Sequence, residues 1–343
     1  MQEVIKVVAG GGKTSYSAGY MKSNKNGLYL AYNNSVTKEM SARGCLGLTI
    51  DSLFIHFIIP KFIPLVPLIN NGSRVAYQAD GFNGSYVGCG NIRVTGEGRI
   101  FNQNQEVDVS LSTSNDSMRS MARFNNSYFI KHIFGVDTLR ISQEQVSGLA
   151  KYIINNHSGK LLKLMKNRFS YIIIDEAQDL NKHRELFAKL LHESDISTIV
   201  LGDEHQNING GGDWFESIEA TETLSKSHRC ADGVCGWVRD NLSIDIHGDS
   251  KKDGRLIVIN MEATNIYDDG DRALLYTSRN KATKTVVDQW TGPKFTIQKA
   301  KGSTIERDVV IIGKTMNRRF LYTAITRTTK CAYSTIAPAN IKQ

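Results

Sequence analysis

Apolar and polar positions in the first 59 residues run in two alternating rhythms. Residues 3–9, 27–32 and 46–50 are short β-rich runs, whereas residues 15–22 and 35–43 carry helical spacing. A glycine loop at 10–14 separates the first strand from the first helix. This order predicts the start of a parallel α/β sheet. Residues 171–174 and 198–201 are buried-strand signals that return to the same sheet. Later strands are expected at 256–260, 273–277, 294–298 and 309–312, with a last helix near 319–326. The break between two α/β halves is placed within 215–230, and no internal repeat appears.

Two stretches differ in texture. Residues 53–69 read LFIHFIIPKFIPLVPLI, an almost wholly apolar run of 17 residues. A spanning helix needs about 20 apolar residues, and this run holds Lys61, Pro60, Pro64 and Pro67. It is read as a buried helix up to Ile59 followed by an extended crossing, in preference to membrane contact. Residues 70–127 are rich in Asn, Ser and Gly, with alternating runs at 74–78, 85–89, 91–95 and 106–111. A small β-rich insertion with hairpins is expected there. Polar helices around 141–155 and 160–166 lead back to the sheet.

Composition narrows the class without deciding it. The 343 residues are 41% hydrophobic and 22% charged, which excludes collagen, coiled coil and wholesale disorder. At this length about two domains are expected. A formal charge of +8 is compatible with a polyanionic partner. The five cysteines, Cys45, Cys89, Cys230, Cys235 and Cys331, include no CxxC pair, so a reducing, intracellular setting is expected in place of a disulfide framework. Cys230 and Cys235 are read as packed thiols, since no partner pair completes a metal site. The first residues carry no basic segment followed by an apolar core, as a signal peptide would.

The candidate chemistry begins at Ala9-Gly10-Gly11-Gly12-Lys13-Thr14, between a predicted strand and a predicted helix. Glycines allow backbone amides to surround a phosphate, the helix N-terminus adds positive potential, Lys13 reaches the β/γ-phosphates and Thr14 can bind Mg²⁺. Val7 stands where the standard eight-residue pattern has its first glycine. A second signal is Tyr171-Ile-Ile-Ile-Asp175-Glu176-Ala-Gln-Asp179, a hydrophobic strand ending in adjacent carboxylates. There Asp175 can hold the metal shell while Glu176 faces the γ-phosphate and polarises water. A glycine turn without nucleotide and a strand running into an acidic turn are the plainer readings of each signal alone.

Together these residues resemble the superfamily 1 helicases of the UvrD/Rep type, in a compact form like viral or phage helicases. Further motifs follow in the family's order: residues 33–43, residues 48–54 (LTIDSLF), Gly202-Asp203-Glu204-His205-Gln206, Ser227-His228-Arg229-Cys230, Tyr276-Thr-Ser-Arg279-Asn280, residues 296–303 and Tyr322-Thr-Ala-Ile-Thr-Arg327. The resemblance implies two RecA-like P-loop domains with a β-rich insertion in the first. Residues 1–59 and 160–222 would form domain 1A, residues 60–159 the inserted lobe and residues 223–343 domain 2A. ATP and Mg²⁺ are the implied cofactors, held by Gly10, Gly11, Gly12, Lys13, Thr14 and Ser15, with the metal on Thr14 and Asp175. Glu176, Gln206, Arg229 and Arg327 are the implied catalytic groups, and His228 takes the place of an aromatic that stacks on the base. The implied partners are single-stranded or partly duplex nucleic acid, DNA or RNA, and replication proteins, with no membrane partner. Tracking would run 3′→5′, in host cytoplasm or nucleus if the chain is viral.

Departures from the family pattern accompany the resemblance. The upstream glutamine that reads adenine has no counterpart beyond Gln2, and Asp51 stands where the family has a histidine. Gly210, Gly211 and Gly212 replace an aromatic-arginine pair, leaving Trp214 or Phe215 to stack on a base from a shifted position or to pack in the core. Glu306 follows Gly302 by four residues where the family's glutamate follows by two. Three other activities stay open beside the helicase: a non-unwinding translocase or RNA-linked NTPase, a strand-binding scaffold without turnover, and a small-molecule P-loop kinase. Stimulation of hydrolysis by a strand separates the helicase from the kinase, and zero turnover with retained strand binding favours the scaffold.

Overall fold

The computed structural model describes residues 2–62, 143–277 and 283–342, together with short strands at 68–69, 84–86, 92–95, 100–102, 105–107 and 139–140. Its first half is a six-stranded, wholly parallel sheet. The strands are β1 (Gln2–Val7), β2 (Gly27–Ala31), β3 (Gly47–Thr49), β4 (Tyr171–Ile174), β5 (Ser197–Gly202) and β6 (Glu222–Leu224), in the order β6-β1-β5-β4-β2-β3. Successive side chains along a strand point to opposite faces, and both faces are covered. Val4, Leu28, Leu30, Ile172, Ile174 and Val200 pack on one face beneath α3 (Gln143–Arg168) and α4 (Lys182–His192). Ile5, Val7, Tyr29, Ala31, Ile173 and Leu201 pack on the other beneath α1 (Lys13–Ser23) and α2 (Asn34–Ala42).

The second half opens with β7 (Lys226–Ala231), paired in parallel with β8 (His247–Asp249) and followed by α5 (Asp232–Leu242). A second parallel sheet comprises β9 (Leu256–Val258), β10 (Ala273–Tyr276), β11 (Lys294–Thr296), β12 (Val309–Ile311) and β13 (Ala332–Ser334), in the order β9-β13-β12-β10-β11. Helix α6 (Arg318–Ile325) packs with α5 on one face of this sheet, against Ala273, Leu275, Val309 and Ile311. Leu274, Val310, Ile312 and Trp290 close the other. The expected two parallel α/β halves are therefore present.

Differences from the sequence reading have local causes. The apolar helix does not stop at Ile59. It runs as Ile50–Leu53, a wide π turn at Phe54–Ile58, and Ile59–Phe62. Pro60 lacks an amide donor, and the widened turn just before it relaxes the backbone pairing that proline would otherwise break. Residues 63–67 lie outside the described residues, as does the run at 74–78. The expected hairpins appear as a four-stranded antiparallel meander, Gly84–Tyr86, Ile92–Thr95, Ile100–Asn102 and Gln105–Val107. The two helices expected at 141–155 and 160–166 form one element, α3, interrupted only by non-helical angles at His157. Its buried residues Val146, Leu149, Ala150 and Ile153 join the first core, and the helix also lies against the meander strands Gly84–Tyr86 and Ile92–Thr95. Among the described residues no helix is long and apolar enough to cross a membrane.

Candidate nucleotide cleft

Ligands of open parallel sheets bind beyond the carboxyl ends of the strands, and the candidate chemistry lies there. The loop between β1 and α1 turns at Gly10 (φ 72°) and Gly12 (φ 88°), both in the left-handed region that glycine adopts without strain. A Cβ on Gly10 would also lie 2.6 Å from Cβ of Arg229 and 2.8 Å from Oγ of Ser227. The first and second halves thus meet at this loop, and the His228 amide donates to the Gly10 carbonyl at 2.9 Å. A cleft of about 450 Å³ opens there, and Gly10, Gly11, Gly12, Lys13, Thr14 and Ser15 line it from the first half.

Glu176 faces the same cleft from the end of β4. Its backbone is left-handed (φ 53°), an uncommon state for a residue with a side chain and one that clusters at functional sites. Lys13 Nζ stands 3.9 Å from Glu176 Oε1, and Gln178 Nε2 donates to Oε2 at 2.5 Å. Burial opposes the ionised form of Glu176, but Lys13 and Lys301 outweigh it and hold the carboxyl below its ordinary range. Burial likewise opposes the Lys13 ammonium, which Glu176, Asp175 and Asp203 keep charged. Asp175 lies behind this surface and does not line the cleft. It accepts from the Tyr29 hydroxyl and from the Glu176 amide, the latter at 2.7 Å. Burial, then repulsion from Glu176, push its pKa upward.

The second half supplies two arginines. Arg229, on β7, donates to the Thr326 carbonyl at 3.1 Å. Arg327, just past α6, is only 2% exposed and donates through Nε to the Thr323 carbonyl at 3.0 Å and through Nη2 to Gln206 Oε1 at 2.9 Å. Burial, then the neighbouring Arg229, lower its pKa to about 10. Gln206 is anchored in turn by Nε2 donating to Asp203 Oδ2 at 2.7 Å. His228 is exposed at the rim, 3.7 Å from where a Cβ on Gly12 would sit. Glu176, Gln206, His228, Arg229 and Arg327 therefore share one cleft with the glycine loop, and among the residues assigned from the sequence to nucleotide, metal or catalysis Asp175 alone does not line it.

Several supporting residues were not singled out from the sequence. Gln178 ties two motifs together, since its Oε1 accepts from the Asp203 amide at 3.0 Å while its Nε2 holds Glu176. Lys301 Nζ reaches the Asp179 carboxylate at 2.6 Å and the Gln206 carbonyl at 2.5 Å. Lys252 donates to the carbonyls of His228 and Arg229 at 2.5 and 3.0 Å and lines the cleft. The first two lie inside motif strings, which was a usable signal; Lys252 belongs to none.

The departures resolve individually. Gln2 sits at the opposite end of β1 from the glycine loop, donating to the carbonyls of Ser194 and Ile196 at 2.8 Å, so it cannot read a base in the cleft. Trp214 and Phe215 are buried in the first core, which removes them as stacking platforms. Glu306 is exposed and away from the cleft, which Thr304 lines instead. Asp51 accepts from Arg184 Nε and Nη2 at 2.9 and 2.6 Å and lies 3.0 Å from His183 Nε2. Arg279 lies outside the described residues. Among the described residues no cluster of three His, Cys, Asp or Glu side chains forms a metal site, and the expected Cys230 and Cys235 are both buried free thiols.

Residues 102–210 match the family model of the UvrD/REP helicase N-terminal domain. This span includes Asp175, Glu176 and Gln206, and the resemblance to superfamily 1 helicases is borne out there. No curated protein matches the chain. Among solved structures, the chain is similar to the arterivirus nonstructural protein 10 helicase in complex with DNA, at 11% identity and a TM-score of 0.47, covering 98% of this chain and 61% of that one. A crystal structure of arterivirus nonstructural protein 10 (helicase) gives 11% identity and a TM-score of 0.46, over 98% and 60%. The chain thus spans about three-fifths of the length of these solved chains.

Proposed function

We propose that the chain is an ATP-dependent helicase or translocase, in which a nucleic-acid strand stimulates ATP hydrolysis and the cycle drives 3′→5′ movement and duplex unwinding. The observation that carries this reading is the convergence of Lys13, Glu176 and Gln206 from one half with Arg229 and Arg327 from the other on one cleft. Phosphoryl transfer needs positioning and charge stabilisation more than covalent chemistry. Amides of Gly10, Gly12 and Ser15 would surround the phosphates, the Gly11 amide being taken by the Val8 carbonyl, and Lys13 would span the β- and γ-positions. Glu176, kept ionised by Lys13 and Lys301, would orient the attacking water and accept its proton. Arg229 and Arg327 would neutralise charge on the transferred group, and His228 would cover the base.

The residues suit a divalent cation. Asp175 is a buried carboxylate whose pKa is pushed up by burial and by Glu176, so added positive charge there is favourable. Asp175 and the Thr14 hydroxyl would hold Mg²⁺, which supplies further charge neutralisation at the phosphates. Because the arginines belong to the second half, nucleotide would draw the halves together and hydrolysis would release them. The division into 1–59 with 160–222 and 223–343 as the two moving domains, with 60–159 inserted, follows from this reading, except that α3 from Gln143 would travel with the first.

The test is ATP hydrolysis by the purified chain with and without single-stranded DNA and RNA, beside Glu176→Gln. Strong stimulation by one polymer, lost in the variant, is the expected result and names the track. Normal ATP binding with no hydrolysis under either strand would favour a scaffold that has lost turnover.

A further inference from the structure

Beyond the charged groups, one neutral contact bridges the two halves at the base of the cleft. Tyr322, on α6, is fully buried. Its hydroxyl accepts from the Ala9 amide, at the start of the glycine loop, at 2.9 Å. The same hydroxyl donates to Asp203 Oδ2 at 3.0 Å. That carboxylate also anchors Gln206 Nε2 at 2.7 Å, and Gln206 Oε1 accepts from Arg327 at 2.9 Å. The His205 ring meets the Tyr322 ring edge-on with centroids 5.7 Å apart.

The chain of contacts is therefore Ala9, Tyr322, Asp203, Gln206 and Arg327, and it closes on itself because Tyr322 and Arg327 come from one segment. A rigid-body shift of the second half cannot move the Arg327 guanidinium relative to Gln206 without also pulling the hydroxyl relative to Ala9 and Asp203. A buried polar network of this kind has discrete arrangements, because leaving any member unpaired carries the full desolvation cost.

We propose that the Tyr322 hydroxyl is a positioning group that couples the phosphate loop to the Asp203–Gln206 turn, so that strand binding accelerates hydrolysis only while this bridge is intact. The proposal rests on the helicase reading above. Tyr322 touches no phosphate; it acts through Ala9 and through Gln206. A purely structural tyrosine in the same place would contribute to stability and leave the response to a strand unaltered.

The experiment compares the full chain with Tyr322→Phe, measuring ATP turnover without and with saturating single strand of the polymer that stimulates the wild type. The expected result is a fall of at least fivefold in the ratio of stimulated to unstimulated rate. Asp203→Asn should lower the ratio similarly, and the double variant should be no worse than Asp203→Asn, since residues in one network are non-additive. A ratio unchanged in Tyr322→Phe, with both rates reduced alike or not at all, overturns the proposal. If the variant does not fold, hydrogen exchange at the Ala9 amide of the wild type decides: protection that changes on strand binding supports the bridge, and unchanged protection refutes it. A wild type that responds to neither DNA nor RNA overturns the helicase reading itself, and is told apart by needing no variant.

Discussion

Lys301 Nζ lies 2.6 Å from the Asp179 carboxylate, although 122 residues separate them. Both side chains are buried, at 7% and 1% exposure, and each comes from a different half. The same ammonium donates to the Gln206 carbonyl. The halves are thus held by an ion pair excluded from solvent beside the candidate catalytic groups.

A buried ion pair is costly to break from one side, because the remaining charge is left uncompensated. Lys301→Met is expected to destabilise the chain by roughly 3–5 kcal/mol. Joining it with Asp179→Leu should recover most of that loss. Urea unfolding midpoints of the two single variants and the double one check this; additive losses would contradict it.

Asp51 makes stability depend on acid. Burial disfavours its ionised form, but hydrogen bonds from His183 and Arg184 outweigh this and bring its pKa down to about 2. A carboxyl whose folded pKa lies below its unfolded value adds stability above the unfolded pKa, near 4, and loses it as pH falls toward 2. Asp51→Asn is therefore expected to cost on the order of 2 kcal/mol at neutral pH. The difference from wild type should shrink between pH 4 and pH 2, read from urea midpoints across that range.

Gly10→Ala should act on the cleft more than on the fold. The left-handed backbone costs an L-residue about 1–2 kcal/mol, and the new methyl would press within 2.6 Å of Arg229 Cβ. Displacing Arg229 is expected to lower ATP turnover by about a hundredfold, since misplacement by 1 Å can have that effect. Steady-state hydrolysis, with circular dichroism to follow the fold, tests it.

Arg327→Lys should fail to substitute. The guanidinium donates from two different nitrogens to the Thr323 carbonyl and to Gln206 Oε1, a fork that a single ammonium cannot reproduce. Loss of an arginine finger costs about 10³-fold or more in turnover, and a comparable fall is expected with nucleotide affinity changed much less. Single-turnover hydrolysis beside equilibrium nucleotide binding separates the two quantities.

Much of the candidate site could be read from contiguous residues. Glycines followed by Lys13, carboxylates closing an apolar strand, and the turn ending at Gln206 each need particular residue types close together in the chain, because backbone geometry places them locally. The central strands of both parallel sheets were legible for the same reason: Tyr171–Ile174, Ala273–Tyr276 and Val309–Ile311 are short apolar runs enclosed in the core. Local chemistry misled where a residue's environment is set from afar. Pro60 continues a helix because the turn before it is widened; for Trp214 and Phe215, where the sequence left stacking and core packing open, the fold chose the first core.

What the sequence by itself determined is the chemistry available at the ends of β1, β4 and β5, since each motif carries its own backbone requirement. Only the tertiary structure decided which groups face one another. It turned Gln2 to the far end of its strand, set Asp175 behind Glu176, and brought the Tyr322 hydroxyl to an amide 313 residues away. No local pattern encodes such a meeting. It follows from how two separately formed sheets pack: against the burial that results, Lys13 and Lys301 hold the Glu176 carboxyl low, while burial and Arg229 lower the pKa of Arg327.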